Sequence, residues 1–503
     1  MDLILHIILL SFRLSNAILC KTSFDPDEYW QALEVAHRRT YGYGYLTWEW
    51  HTQLRSYLFP YVFECLYRVI SFFGEFEYSR LLLILCPRLL MAVLAYMTDV
   101  YTFKICHILF GRMTAVICLY LQITSWFIFY AITRTFINSF ETFLVVIIFY
   151  LFCQLMVGNY SIRDTGLRLA MLLTLIGLVC YLRPTAVPCI SLYFIVLYFS
   201  SLSVSYKLIL SIVVTLILSS ILISTESLLY GKLAIPFYNF LNVNVVSGIA
   251  SLYGTHSLHW YLTQCLPVFL ITNIPAFIIG IIFVIKGSHP VGNEHIIIKL
   301  ALLGLILLNL VLLSPVPHKE FRFLLPMLPF CHILTAKGIY VIDNNTRKHR
   351  LISLFKKLLL FLSLLQIPMS FYFGFIHQRG VIRVMDYLYG HISVEDQVLF
   401  LMPCHSTPLY SHIHKNATLQ FLECSPPLYE PVDRAKLFYN NVNSQTDSLL
   451  SNGYSYVTCF STLSEEINGL LAKKGFQKKA EIFHTHLPEG RIGSYVHVYK
   501  KIG

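Results

Sequence analysis

Residues 208–229 read LILSIVVTLILSSILISTESLL, and this stretch carries one charged side chain, Glu226. An α-helix needs about 20 consecutive apolar residues to cross the hydrocarbon core of a bilayer. Ten further runs are comparable in length and composition, at residues 3–20, 81–103, 113–131, 139–157, 166–182, 187–203, 266–285, 296–313, 323–341 and 358–375. The sequence therefore predicts an all-α polytopic membrane protein with about 11 transmembrane helices.

The composition of the whole chain agrees with this class. Of its 503 residues, 56% are hydrophobic and 13% are charged, and the mean hydropathy is +0.63. The hydrophobic share is higher, and the charged share is lower, than in a typical soluble domain. The formal net charge of +11 comes from Lys and Arg residues that are spread thinly among loops, without a basic stripe. We therefore expect membrane lipids around the chain and no nucleic-acid partner.

The basic residues also predict an orientation, because cytoplasmic loops are enriched in Lys and Arg. The densest short basic loop is TRKHR at residues 346–350. With eleven spans, alternation puts the other basic loops on the same cytoplasmic face; they contain Lys104, Arg112, Arg163, Arg168, Lys207 and Lys286. Residues 58–74 are apolar too, but their charged residues indicate an interfacial amphipathic helix rather than a span. The run at 3–20 could instead be a cleaved signal peptide, which leaves the following loop lumenal either way.

An acidic cluster follows the first apolar run, with Asp25, Asp27 and Glu28 within the sequence DPDEYW. A carboxylate in hydrocarbon costs several kcal/mol, so these side chains should lie just outside the bilayer on the lumenal face. This position would suit a general base that acts on a lipid-linked substrate. Asp27 is the preferred base, with Asp25 and Glu28 as rivals. Alternatively, Asp25 before Pro26 caps a helix and leaves the chemistry to the other two acids.

The same face receives the positively charged and polar residues that could bind a phosphate group. Cationic hydrogen-bond donors stabilise a phosphate leaving group. The candidate binding residues are Arg134, Arg183, His256, His259, His318, Lys319, Glu320 and Arg322. Each has another interpretation: Arg183 could extend to the lipid headgroups, residues 318–322 could form a local salt-bridge network, and the two histidines of 256–259 could lie in a solvated loop.

From about residue 377 the composition changes, with Pro, Asn, Ser and His replacing Leu and Ile. We expect a transmembrane module at 1–375, with a lumenal loop at 21–80, and a small lumenal α/β domain at 376–503. Within that domain, residues 397–402 and 495–499 are typical of strands and residues 465–474 of a helix. Of the three Asn-x-Ser/Thr sequons, only Asn416 is predicted to be lumenal and glycosylated, since Asn159 and Asn344 fall on the cytoplasmic side.

Cysteines and histidines in the tail raise the question of a metal site. The 13 cysteines show no CxxC pair, and most lie within apolar runs. Cys404 and Cys424 could form a disulfide in a lumenal domain. The histidines at 405, 412 and 414 lack a second ligand pair, so no structural zinc is predicted.

Five motifs carry a resemblance to a known family. They are FDPDEYWQ at 24–31, YGYLTWEW at 43–50, HKEFRF at 318–323, MPCHSTP at 402–408 and FHTHLPEGR at 483–491. The sequence resembles the dolichyl-phosphate-mannose-dependent family 22 of the GT-C glycosyltransferases, almost from end to end. The HKEFR stretch is shared across that family, whereas the DPDEYWQ and FHTHLPEGRIGS stretches resemble members that act on the GPI anchor precursor.

The resemblance implies an endoplasmic reticulum enzyme with a lumenal active site. It implies transfer of the third GPI mannose in α1,2 linkage from dolichyl-phosphate-mannose, by an inverting single displacement with no cofactor and no metal. The donor and the GPI precursor glycolipid are the expected partners, and protein partners are not predicted. The alternatives are another family 22 mannosyltransferase, acting on the fourth GPI mannose or the N-glycan precursor, or a transporter. A transporter is disfavoured because no repeated halves with broken helices are apparent.

Overall fold

The computed structural model describes residues 2–74, 79–200, 202–286, 293–345, 357–359, 361–426 and 434–502. The described residues form helices from residue 3 to residue 391, followed by a small domain of strands and helices. The chain divides into two compact units. Unit 1 comprises residues 1–16 and 90–370, and unit 2 comprises residues 17–89 and 371–503.

The α-helices before the sheet, in chain order, are α1 (Leu3–Leu19), α2 (Glu34–Tyr41), α3 (Trp48–His51), α4 (Leu58–Phe72), α5 (Ser79–Phe110), α6 (Arg112–Thr124), α7 (Trp126–Ala131), α8 (Ile137–Val157), α9 (Ile162–Leu182), α10 (Ile190–Phe199), α11 (Val204–Tyr230), α12 (Pro236–Leu241), α13 (Leu266–Leu270), α14 (Ile274–Lys286), α15 (Asn293–Leu313), α16 (Leu328–Asn345), α17 (Gln366–Phe375) and α18 (Gly380–His391). Short 3₁₀ or π-helical turns adjoin several of them, including Tyr29–Leu33 before α2, Pro184–Cys189 before α10 and Phe321–Met327 before α16.

Eight helical segments among the described residues are long and apolar enough to cross a membrane. They are Ser79–Phe110, Ile137–Val157, Ile162–Leu182, Val204–Tyr230, Tyr261–Lys286, Glu294–Leu313, Phe321–Ile342 and Lys357–His391. Three shorter apolar helices are Leu3–Leu19, Arg112–Thr124 and Pro184–Phe199. The predicted apolar runs are helical in the described residues, so the all-helical membrane class is confirmed, while the number of eleven spans stays a prediction. One of the three, α6, ends at the extended backbone of Ser125.

Unit 1 packs two of its helices at very short range. A Cβ atom on Gly338 of α16 would lie 1.8 Å from the carbonyl oxygen of Ala276 on α14, and one on Gly280 would lie 2.0 Å from that of Leu334. Small residues at helix contacts allow such backbone approach in membrane proteins. The position of α16, which follows the HKEFR motif, is therefore fixed by backbone contact with α14.

Unit 2 contains a five-stranded mixed sheet. Its strands are β1 (Gln397–Leu401), β2 (Thr418–Phe421), β3 (Tyr456–Phe460), β4 (Phe476–Phe483) and β5 (Tyr495–Lys501), in the order β2-β1-β3-β5-β4. The β1 strand pairs in parallel with β2 and β3, and β5 pairs antiparallel with β3 and β4. Helices α19 (Tyr410–Ile413), α20 (Arg434–Asn440), α21 (Val442–Leu450) and α22 (Ser461–Lys473) accompany the sheet. The predicted α/β tail, including its two strands and its helix, is confirmed.

The division differs from the predicted domain boundaries. Residues 21–80, predicted to be a loop of the membrane module, lie in the same unit as the C-terminal residues. The reason is visible at Glu34, which is fully buried and accepts hydrogen bonds from the backbone N–H groups of Leu409, Tyr410 and Ser411 at 2.8 to 3.1 Å. A buried carboxylate needs such donors, and here they come from the far end of the chain.

Helix α4 corresponds to the predicted interfacial helix. It has 15 residues, which rise about 22 Å and fall short of the roughly 30 Å of hydrocarbon. Glu64 is buried and binds Arg39 at 2.6 Å and Arg68 at 2.7 Å. Val69, Phe72 and the following Phe73 are exposed. The helix therefore combines a paired charge on its inner face with an apolar outer face.

Candidate active site

The acidic cluster begins a helix in unit 2. The Oδ1 atom of Asp25 accepts a hydrogen bond from the N–H of Asp27 at 2.9 Å, and the N–H groups of Tyr29 and Trp30 reach the carbonyl oxygen of Pro26. This is the arrangement of an N-cap residue followed by proline at the first helical position. Asp25 therefore has the capping role that the sequence offered as the alternative to catalysis.

Glu28 is held in a buried ion pair. Its Oε1 atom lies 3.1 Å from Nη2 of Arg88, whose Nη1 atom donates to the carbonyl oxygen of Cys20 at 2.5 Å. Both side chains are buried, and Glu28 is fully so. A carboxylate in this position stabilises the loop, and removing it would leave a buried arginine unpaired.

Asp27 and Asp25 are both partly exposed to solvent, whereas Glu28 is fully buried. Asp27 interacts electrostatically with the ring of His405, which contacts Trp30 at a centroid distance of 4.4 Å and an interplanar angle of 46°. Burial lowers the pKa of His405 to about 4, against a smaller raising effect of Asp27, so this ring is neutral at pH 7. Asp27 is thus the partly exposed acid that does not cap the helix, and its role as a base stays a prediction.

Distant residues in unit 2 hold this helix in place. The indole Nε1 of Trp30 donates to the carbonyl oxygen of Thr407 at 3.1 Å, and Ser411 Oγ donates to Glu34 at 2.6 Å. Residues 407–411 lie in a loop closed by the predicted disulfide between Cys404 and Cys424, whose Cα atoms are 5.9 Å apart. Sequence reasoning missed Glu34, Arg88 and His405 as supports, because no local pattern links positions so far apart.

Two of the candidate binding residues of unit 1, His318 and Arg322, bind the carboxylate of Glu320. His318 Nε2 lies 2.7 Å from Glu320 Oε1, and Arg322 forms an ion pair with Glu320 Oε2. Burial acts to raise the pKa of Glu320, but the charge of Arg322 and the hydrogen bonds from His318 and Arg322 outweigh it and hold the pKa below its usual range. The salt-bridge network proposed as the alternative is therefore present, and it aligns the two donors on one carboxylate.

Arg183 joins this cluster through a shared aromatic ring. Its guanidinium carbon lies 5.4 Å from the ring centroid of Phe323, and that of Arg322 lies 5.6 Å from the same centroid. Arg183 also forms an ion pair with the buried Glu141 at 3.4 Å. Phe323 and Glu141 were not predicted, although the phenylalanine belongs to the HKEFRF motif. The structure thus brings Arg183, His318, Glu320 and Arg322 together.

Lys319 was predicted to bind phosphate, but in the structure its ammonium group binds backbone carbonyl oxygens. Its Nζ donates to the carbonyl oxygen of Val316 at 2.6 Å and to that of His256 at 3.2 Å, and burial lowers its pKa. The N–H of His256 in turn donates to the carbonyl oxygen of Pro317 at 3.0 Å. Lys319 and His256 thereby fasten the loop before Trp260 to the HKEFR segment. The side chain of His259 is exposed and contacts Ser257 at 3.3 Å.

Arg134 is fully buried, three residues after the end of α7. Its Nε atom donates to the carbonyl oxygen of Tyr130 at 2.6 Å, and its guanidinium carbon lies 4.5 Å from the centroid of that ring. These contacts are local to its own helix end. A role in phosphate binding therefore stays a prediction for this residue.

Three groups with metal-binding atoms approach one another within 4.8 Å in the described part of the chain, namely Cys404, His405 and Cys424. The two cysteines are bonded to each other. Their sulfur atoms are therefore not thiolate ligands, and one histidine cannot hold a structural zinc ion. The chemistry of this donor set does not fit a metal site.

The glycosylation sequons have different surroundings. Asn416 is exposed in the loop before β2. Asn159 is exposed between α8 and α9. The side chain of Asn344 and the basic loop at 346–350 lie outside the described residues. Glycosylation at Asn416 stays a prediction.

Similarity to known proteins supports the enzyme class that the sequence motifs predicted. The chain is 35% identical to a mouse protein named GPI alpha-1,2-mannosyltransferase 3 over 98% of this chain and 88% of that protein. It is 34% identical to mannosyltransferase APTG1 of Arabidopsis thaliana over 97% of this chain and 90% of that one.

The fold resembles that of ArnT from Cupriavidus metallidurans, solved bound to undecaprenyl phosphate. The TM-score is 0.61 at 10% identity, with 99% of this chain and 98% of that chain covered. Identity this low shows the fold alone, and it confirms the predicted GT-C architecture. The Alg9-like mannosyltransferase family matches residues 4–414. By that match and by its near full-length relatives, the chain belongs to the Alg9-like mannosyltransferase family.

Proposed function

We propose that this protein transfers mannose in α1,2 linkage onto the GPI anchor precursor, as its third mannose, from dolichyl-phosphate-mannose. The observation that carries the proposal is the 35% identity, over nearly its whole length, to relatives named GPI alpha-1,2-mannosyltransferase 3. Similarity that extended only over the membrane helices would support the family and not this reaction. Here it includes the acidic helix, the HKEFR segment and the C-terminal sheet.

The acceptor side of the reaction needs a base. An inverting single displacement removes the proton of the acceptor hydroxyl as that oxygen attacks C1 of the mannose, opposite the departing phosphate. Asp25 is engaged in capping and Glu28 is buried against Arg88. Asp27 is partly exposed and lies on the first turn of a helix held by Glu34 and Trp30. Asp27 therefore takes the role of base.

The donor side of the reaction needs positive charge. As the C1–O bond breaks, a polyprenyl monophosphate leaves with increasing negative charge, which cationic donors stabilise. Arg322 and His318 are aligned by Glu320, and Arg183 lies at the same ring as Arg322. We assign phosphate stabilisation to Arg322 first, with Arg183 and His318 beside it. Lys319 keeps the loop in place and has only part of its donor capacity for substrate.

The protein acts as a multi-pass enzyme of the endoplasmic reticulum membrane, with both charged segments on the lumenal side. The positive-inside rule and the family support this orientation. In sealed microsomes, Asn416 should carry an endoglycosidase-sensitive glycan, Asn159 and Asn344 should stay bare, and a tag after Gly503 should be protected from protease. A tag accessible to protease in intact vesicles would contradict the lumenal tail.

Lipid analysis of cells that lack the protein tests the reaction itself. The proposal predicts that a GPI precursor with two mannoses accumulates and that wild-type protein restores the third. Accumulation of a precursor with three mannoses, or normal GPI lipids beside a truncated N-glycan precursor, would select another member of the family. Purified protein with dolichyl-phosphate-mannose and the accumulated lipid should then form the α1,2 product.

A further inference from the structure

Unit 1 contains a second group of positive charges. It lies on α15 and α16, toward the ends of these helices that are remote from the HKEFR segment. The HKEFR segment connects the end of α15 to the start of α16. Lys299 lies near the start of α15, and Lys337 lies in the second half of α16. Phe110 is the last residue of α5, and Phe283 is close to the end of α14. These four residues therefore lie toward the face that the sequence predicts to be cytoplasmic.

The two lysines share one aromatic ring. The Nζ atom of Lys299 lies 5.5 Å from the ring centroid of Phe110, and that of Lys337 lies 5.3 Å from the same centroid. Lys337 also approaches Phe283 at 4.1 Å and Tyr340 at 4.9 Å. Ring faces attract an ammonium group, but they carry no net charge to neutralise it. Two positive charges therefore approach the same small region of the helix bundle.

Neither ammonium group has an anionic or hydrogen-bonding protein partner in the part of the chain that the structure describes. Lys337 exposes only 7% of its surface, and it repels Lys299 electrostatically. A buried charge without a counterion is costly. Two basic side chains on the same predicted face do have protein partners: Lys207 donates to the carbonyl oxygens of Leu197 and Ser200, and Arg168 donates to Gln154. A bound anion would neutralise the charge of this largely buried lysine pair.

Apolar surface lies next to the pair along both neighbouring helices. Leu300 follows Lys299 and is 51% exposed, and Ile282 and Ile285 flank Phe283 and are 44% and 63% exposed. Acyl chains would cover such residues in a membrane. Basic pockets between transmembrane helices on the cytoplasmic side are suited to acidic lipid headgroups. This combination of charge and apolar surface favours a lipid over a free inorganic ion.

We infer that Lys299 and Lys337, around Phe110, form a binding site for an anionic glycerophospholipid in the cytoplasmic leaflet. The headgroup phosphate of this lipid accepts hydrogen bonds from both ammonium groups, and the acyl chains of the lipid lie along α14 and α15. The site does not depend on the proposed transfer reaction. It gives the enzyme a preference for acidic membranes on the face opposite the HKEFR segment.

The test measures lipid binding by the purified full-length protein in nanodiscs or by native mass spectrometry. Phosphatidylserine should bind more tightly than phosphatidylcholine, and the double change Lys299→Gln with Lys337→Gln should weaken phosphatidylserine binding about tenfold or more. Lys207→Gln is the matched control, since its lysine already has two carbonyl partners, and it should bind phosphatidylserine like wild type. Lys299→Arg keeps the charge and should retain binding.

Three outcomes would overturn the inference. The first is equal phosphatidylserine binding by the double variant and wild type. The second is competition by millimolar inorganic phosphate as strong as that by phosphatidylserine, which would make this a site for the free ion. The third is a loss in Lys207→Gln as large as in the double variant, which would reflect general surface charge. If the double variant does not fold, the single change Lys299→Gln against Lys299→Arg decides, because Lys299 is only half-buried.

Discussion

The acidic segment at 25–28 and the mixed segment at 318–322 are both dense in charge, but their charges are used differently. In the acidic segment each carboxylate has a separate partner. Asp25 accepts a hydrogen bond from a backbone N–H, Asp27 interacts electrostatically with His405, and Glu28 forms an ion pair with Arg88. In the mixed segment His318 and Arg322 both bind Glu320. The comparison teaches that charge density marks a functional region, while the partners decide which side chain can react.

The largest expected effect comes from the base, because the acids of the first segment act separately. Asp27→Asn keeps the size of the side chain and removes its basicity, so the turnover should fall about 10²- to 10⁴-fold. Mannose transfer to the two-mannose GPI lipid measures it, with protein folding checked by size-exclusion chromatography. Asp25→Asn is the matched control and should lose much less, since an amide oxygen still caps the helix. Equal losses in both variants would mean that the acids do not have separate roles.

The ion pair of Glu28 should affect stability more than chemistry. Arg88→Met leaves Glu28 buried without its cation, and breaking a buried pair in this way costs about 3 to 5 kcal/mol. The thermal midpoint of the full-length protein in detergent should drop clearly. The double change Arg88→Met with Glu28→Gln should regain part of it, because no uncompensated charge remains. A double variant no more stable than Arg88→Met would mean that the two charges are not coupled.

The second segment should respond as one unit. Arg322→Gln removes a charge-assisted donor to the leaving phosphate, and loss of one such donor typically costs about 10²- to 10³-fold in turnover. Glu320→Gln should lower activity too, since it no longer aligns His318 and Arg322. In the double variant Arg322→Gln with Glu320→Gln, the fold-loss in turnover should be smaller than the product of the two single fold-losses, as expected for residues in contact. Fully multiplicative losses would show that the charges work independently, as in the first segment.

The smallest expected effect is a pH dependence of stability in unit 2. Burial lowers the pKa of His37 to about 3 and that of His405 to about 4, each below the ordinary 6.5. As the pH falls below 6.5 the unfolded chain binds protons that the folded chain does not, so stability present above pH 6.5 is lost toward pH 4. Between pH 7.5 and 5.5 each histidine should cost about 1 kcal/mol.

Thermal midpoints at the two pH values measure this loss. His405→Asn removes one titrating ring and suits the positive φ of 60° at this position, so its midpoint should fall less on acidification. His259→Asn is the control, because that ring is exposed, and it should leave the pH dependence as in wild type. An unchanged pH dependence in His405→Asn would exclude His405 as its source.

The sequence was sufficient for features that depend on local patterns. The apolar runs predicted the helices, the composition change near 377 predicted the α/β tail, and Cys404 and Cys424 were correctly suggested as a pair. It could not give the domain division, because Glu34 binds backbone groups at 409–411. For the same reason it could not separate Asp27 from Glu28, whose partner Arg88 belongs to another helix. Local charge says little about partners supplied by distant segments.

The bonds of Glu34 also set an order of events during synthesis. Its partners at 409–411 are about 375 residues later in the chain. Translation at about 5 to 20 residues per second therefore leaves this carboxylate without them for tens of seconds after it has been made. Until then the helix that carries Asp27 cannot have its final packing. A chain interrupted before residue 409 would contain every apolar helix up to α18 and still lack a finished acidic helix, so the enzyme gains its proposed base only after residues 409–411 have been made.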